Sequence, residues 1–200
     1  MKNNIPLTKY TSSNQEMLPT SDQEYRYPIN SFLSQTVTRD DEFKVILLIK
    51  DDGQDFWKCN RDYFKNEMDA IVQNAGAKVE YVQIDSNFDQ EKRTHEQLVF
   101  DIVDAIDEDS HIMIDMTYGP KDLFLILSTV LKFAETFLQC ETDYIVYGLA
   151  KFDKNNKLIK GSTELCDMSI LYFLNSVVDL IQADNSTEAK EKLKDMLFLN

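Results

Sequence analysis

The sequence predicts an α/β domain built on a mainly parallel sheet, and three observations lead there. Short apolar runs alternate with helical patterns along most of the 200 residues, as in strand–helix–strand units. The run at 43–50 (FKVILLIK) is almost continuously apolar, which fits a parallel strand covered on both faces. Hydrophobic residues make up 43% and aromatics 11% of the chain, an ordinary globular composition with enough apolar side chains for one full core.

Residues 1–7 are expected to form a short first strand. Residues 9–25 are polar and punctuated by Ser, Thr, Asn and Pro19, the composition of a long loop. Pro28 suits the first turn of a helix running to about Thr36, with Ile29, Phe32 and Leu33 on one face. The strand at 43–50 is followed by a turn at 51–55 containing Gly53. After Trp57 a helix places Phe64, Met68, Ile71 and Val72 on a buried stripe, and 74–76 ends it with Gly76 as the stop. Residues 78–84 (KVEYVQI) form the third strand and 85–87 its exit loop. The next helix carries Val99, Ile102, Val103 and Ile106 on one side. A fourth strand at 111–116 (HIMIDM), a tight loop at 117–121 and a strongly apolar helix at 122–138 follow. Residues 142–149 (TDYIVYGL) are the fifth strand, and 151–160 a small hairpin. An apolar helix at 168–183 precedes a last helix, which Asn185 and Glu188 open as a capping box and which runs to about Phe198. This organisation divides into one domain, 1–184, and a C-terminal helix, 185–200.

The formal net charge of −14 weighs against bulk DNA or RNA binding, which needs a basic footprint. Cys59, Cys140 and Cys166 are odd in number and form no CxxC, so they are expected as free thiols in a reducing compartment. His95 and His111 are too few for a histidine-rich metal site, and no metal or cofactor is expected. No basic-then-apolar leader is visible, and the longest apolar stretch, 123–131, is interrupted by Ser128 and Thr129; a soluble, cytoplasmic protein follows as the expectation. There is no GxGxxG, P-loop or GxSxG pattern, which disfavours NAD-type cofactor binding, P-loop phosphotransfer and nucleophile-elbow hydrolysis.

Ligands of open α/β sheets bind beyond the carboxyl ends of the strands. The candidate loops are therefore 8–13, 51–54, 85–87 and 117–121. The last is the most informative: it reads Thr117-Tyr118-Gly119-Pro120-Lys121 between an apolar strand ending at Asp115 and an apolar helix. Gly119 permits close backbone approach, Pro120 suits a first helical position, and free N–H groups at a helix start favour an anion. Thr117 adds a hydroxyl, Tyr118 a stacking face and Lys121 a positive charge. Two readings stand side by side, an ordinary strand-to-helix turn or an anion-binding loop, with Asp115 as structural support in both. Lys9, Tyr10 and Thr11 lie either in a solvated loop or at the same carboxyl end.

The loop Asp115–Lys121 (DMTYGPK) resembles the Asp-x-Thr-His-Gly-Phe-Arg loop of CRISPR-associated Rossmann-fold (CARF) domains, in the branch related to type III accessory ribonucleases. Pro6 to Thr11, the run at 43–50 with Trp57 after it, Tyr147-Gly148, and Cys166 to Ser169 are similar to family segments in the same order. The resemblance covers about residues 5–182. It implies a Rossmann-like sheet of about five to six strands with helices on both faces, followed by C-terminal helices. It also implies a homodimeric sensor of cyclic oligoadenylate, with cyclic tetra-adenylate favoured over the hexa-adenylate. The ligand-binding residues would be Lys9, Tyr10, Thr11, Thr117, Tyr118, Gly119, Pro120 and Lys121. Tyr118 and Lys121 replace the family's His and Arg, and Lys loses the planar fork. The family's ribonuclease motif, an Arg followed four to six residues later by His, is absent from Arg26, Arg39, Arg61 and Arg93. Two expectations follow: an effector domain or protein joined at the C-terminus, or a chain that acts alone. Two alternatives to the sensor are a metal-independent ring nuclease, with no assigned catalytic residue, and a regulatory dimerisation module.

Overall fold

The computed structural model describes residues 5–14, 17–50, 56–87, 89–155 and 157–198. The unit Met1–Asp167 contains strands β1 (Thr11–Ser12), β2 (Glu42–Ile49), β3 (Lys78–Asp85), β4 (His111–Asp115), β5 (Glu141–Leu149) and β6 (Glu164–Asp167). Its helices are α1 (Pro28–Thr36), α2 (Phe56–Ala75), α3 (Lys92–Ala105) and α4 (Leu123–Phe137).

The apolar runs become strands because both of their faces find helices to cover them. Alternate strand residues feed two separate cores. Val45, Val79, Tyr81, Met113 and Val146 pack with Phe32 of α1 and with Met68 and Ile71 of α2. Ile46, Leu48, Val82, Ile84 and Ile114 pack instead with Leu98 and Ile102 of α3 and with Leu127 and Val130 of α4. So α1 and α2 cover one face and α3 and α4 the other. The stripe Phe64, Met68, Ile71 and Val72 lies in the first of these cores as its spacing predicts, and Gly76 follows the end of α2 with a φ of 77°.

Pairing departs from the expected single sheet of five to six strands. Hydrogen bonds divide the described strands into a four-stranded sheet, ordered β1-β6-β5-β4, and a two-stranded sheet, β2-β3. The pairs β2–β3, β4–β5 and β1–β6 are parallel, and β5–β6 is antiparallel. Apolar periodicity reports burial, which the two sheets share through common cores, and carries no signal for which edges bond.

The first strand is a second correction. Residues 5–7 are not strand, and 1–4 lie outside the described residues. Pro6 has no N–H to give to a ladder, whereas Thr11 and Ser13 donate theirs to Thr163 and Leu165 carbonyls at 3.1 and 3.2 Å. β6, only four residues (ELCD), is too short for a period-two signal and has no counterpart among the expected elements. The expected small hairpin at 151–160 is present as an antiparallel bridge, Phe152 to Leu158, flanked by bonds from the Asp153 N–H to the Lys157 carbonyl and from the Ile159 N–H to the Lys151 carbonyl at 2.8 and 2.9 Å. The turn at 51–55 falls outside the described residues.

The second unit, Met168–Asn200, holds α5 (Ser169–Leu180) and α6 (Ser186–Leu197). It begins at Met168, where the sequence suggests a division after 184. Asn185 Oδ1 accepts the Thr187 and Glu188 N–H groups at 3.1 and 3.0 Å. The Glu188 carboxylate accepts the Asp184 N–H at 3.1 Å, one residue earlier than the capping box pattern requires. Among the described residues no helix is long and apolar enough to cross a membrane.

Candidate functional site

β4 ends at Asp115, and the chain turns before α4 begins at Leu123. A set of hydrogen bonds fastens that turn. The Met116 N–H donates to the Val146 carbonyl at 2.8 Å. The Asp115 carboxylate accepts the Thr117 N–H at 2.9 Å and, more loosely, the Ile29 N–H at 3.5 Å. The Thr117 hydroxyl accepts the Gly148 N–H at 2.8 Å. Helix α1 opens at Tyr27 with no side-chain cap of its own, so Asp115 supplies from β4 the acceptor that an N-cap residue normally provides. Burial pushes the Asp115 carboxyl up, and the Thr117 and Ile29 donors pull it back.

Two glycines make the turn possible. A Cβ on Gly148 would stand 2.4 Å from Pro28 Cγ and 3.2 Å from Thr117 Cγ2. Gly119 has a φ of 155°, and a Cβ there would meet Leu123 Cδ2 at 2.8 Å.

An aromatic group stands beside the loop. The Tyr10 and Tyr118 hydroxyls both donate to the Arg26 carbonyl, at 3.0 and 3.3 Å. Tyr118 meets Tyr27 edge to face with ring centroids 5.7 Å apart. Tyr27 donates to the Asn60 carbonyl at 2.6 Å. Tyr10 is 4% exposed and Tyr118 44%, so Tyr118 is the ring that presents itself to solvent. Burial raises all three phenols, Tyr118 to about 12; they are neutral donors at ordinary pH.

Next to this group lies a polar contact that the sequence reading does not single out. Glu67 of α2 accepts the Arg26 N–H at 3.1 and 3.2 Å, the Arg26 guanidinium at 3.4 Å and Asn30 Nδ2 at 3.1 Å. The guanidinium also lies 4.1 Å over the Tyr63 ring. A carboxylate adjoining the buried Met68 on a core-facing helix is the available signal, because such a group needs a partner.

The other expected residues divide. Lys9 is exposed and pairs with Asp22. The Thr11 hydroxyl donates to the Thr163 carbonyl at 3.1 Å. Lys121 is exposed and makes no ion pair among the described residues. Pro120 does not open α4: its carbonyl accepts the Leu123 N–H at 3.1 Å, and Asp122 is the N-cap. The Asp122 carboxylate bonds Gln90 Nε2 at 3.0 Å and His95 Nε2 at 3.1 Å, and these contacts, Gln90 first, hold it below the usual carboxylate range. An anion at this helix start therefore shares it with a carboxylate, and Lys121 is the adjoining positive charge. The structure brings Tyr10, Thr117, Tyr118 and Gly119 to one place, while Lys9 and Thr11 are engaged with Asp22 and Thr163. No family model matches the sequence, and no curated protein matches it significantly.

Proposed function

We propose that this chain is a Rossmann-like, cytoplasmic sensor of cyclic oligoadenylate in type III CRISPR defence, binding the cyclic tetra-adenylate in preference to the hexa-adenylate across a homodimer. The observation that supports it most is the fastened loop at the carboxyl end of β4, where Tyr118 is exposed beside Gly119 and Lys121. Tyr118 offers a face on which a base stacks. Gly119 lets a phosphate approach the backbone, and Lys121 supplies charge. Thr117 and Asp115 are committed to holding the loop, and Tyr10 helps to fix the Arg26 carbonyl on which Tyr118 is anchored. Leu125, Phe133 and Phe137 stand 70%, 40% and 67% exposed along α4. This apolar stripe follows the loop directly in the chain, and a second copy covering it would bring two loops to one two-fold axis.

The experiment is incubation of the purified chain with cyclic tetra-adenylate and cyclic hexa-adenylate, then chromatography of the complex and of the extracted nucleotide. Co-elution with intact ligand is expected. Linear products would replace the sensor with a ring nuclease, and failure to bind either ring would leave the loop an ordinary strand-to-helix turn.

A further inference from the structure

The amino ends of β4 and β5 hold a second group of donor atoms, at the opposite strand ends from the loop. His111 opens β4, and Glu141 is its paired neighbour at the start of β5. The register shift between Ile112 and Met113 leaves Asp143 as the extra residue on β5, a bulge of the kind that re-aims a side chain. Its carboxylate meets His111 Nδ1 at 3.1 Å. One imidazole nitrogen and one oxygen from each carboxylate all lie within 4.8 Å of one another.

We propose that His111, Glu141 and Asp143 bind a divalent transition-metal ion of the zinc class. Ligands to one such ion, at bonds of roughly 2.0–2.2 Å, sit about 3–4 Å apart. Small rotations of partly exposed side chains close the remaining gap. The imidazole nitrogen selects zinc-like ions over magnesium and calcium, which take oxygen donors. An exposed His–Asp pair by itself is ordinary and stabilises little. Glu141 adds a second carboxylate oxygen to that pair, so the three donor atoms converge on one point whose negative charge favours a cation. The strand ends are also held in place: the Asp109 N–H donates to the Leu138 carbonyl and the Glu141 N–H to the Ser110 carbonyl, both at 2.9 Å. Three protein ligands leave a fourth position for water or for a donor from another molecule.

The test is calorimetric titration of the chelator-treated full chain with zinc chloride, together with NMR of the histidine rings. The sequence contains two histidines, so His111→Ala assigns the His111 signal directly. One zinc per chain is expected, with the His111 ring resonances moving and those of His95 still. His111→Ala and Glu141→Gln should each weaken binding by about tenfold or more, with far-UV circular dichroism unchanged because the sites are exposed. No saturation below about 1 mM zinc, or zinc binding that survives His111→Ala, as at the thiols, overturns the proposal.

Discussion

Asp115→Ala would remove the acceptor that joins β4, the 117–121 loop and the first turn of α1. The bond from the Thr117 N–H, at 2.9 Å to a carboxylate, is of the charge-assisted kind worth about 1.5–3 kcal/mol. The Ile29 contact is long at 3.5 Å and acts as a weak helix cap, worth about 0.5–1 kcal/mol. The variant also relieves the desolvation of a partly buried carboxylate, which brings the expected net loss to about 2 kcal/mol. Urea denaturation would show it as a lower midpoint at unchanged slope. Thr117→Val cuts the same chain one link further on, at the Gly148 N–H. The two losses should be non-additive by about 0.5–1.5 kcal/mol in a double-mutant cycle, because Thr117 bonds both groups. The pH dependence follows from the raised Asp115 carboxyl. Between its unfolded and folded pKa values the native state holds the extra proton, so stability falls as pH rises through that window. The variant lacks this fall. A loss under about 0.5 kcal/mol with full additivity would refute the relay from Asp115 through Thr117 to Gly148.

Gly148→Ala should destabilise by about 1–3 kcal/mol in the same assay, since the new Cβ runs into Pro28. Absorbance titration at alkaline pH should show the Tyr118 phenol ionising near 12, and Tyr118→Phe should delete that step. The proton held by folded Tyr118 means that stability drains away as pH rises from about 10 to 12; ionisation of all nine tyrosines together near the ordinary value of about 10 would contradict the aromatic cluster. Lys121→Ala should weaken cyclic tetra-adenylate about tenfold, by loss of one charge-assisted phosphate contact, read by calorimetry. Leu125→Glu with Phe137→Glu should convert the proposed dimer to monomer in sedimentation velocity while leaving the circular dichroism spectrum intact.

Much of this protein is local and therefore written in the chain. The stripe from Phe64 to Val72 specifies a helix and its buried face, because helical spacing alone brings those side chains to one side. Pro28 and Gly76 mark ends of α1 and α2, because each restricts or frees its own backbone. Asp115-Met116-Thr117-Tyr118-Gly119 marks a strand-to-helix turn for the same kind of reason. The partners of that turn are a different matter. Ile29 is 86 positions from Asp115 and Gly148 is 31 from Thr117, and nothing in the spacing of either pair announces that they bond. Burial of Tyr10 against exposure of Tyr118, the anchoring of both on the Arg26 carbonyl, and the division of the strands into two hydrogen-bonded sheets are likewise decisions of the tertiary structure. Hydrophobic patterning determines which faces leave water, because burial depends on side-chain area; which polar group meets which depends on where distant segments arrive, and only the folded chain brings them there.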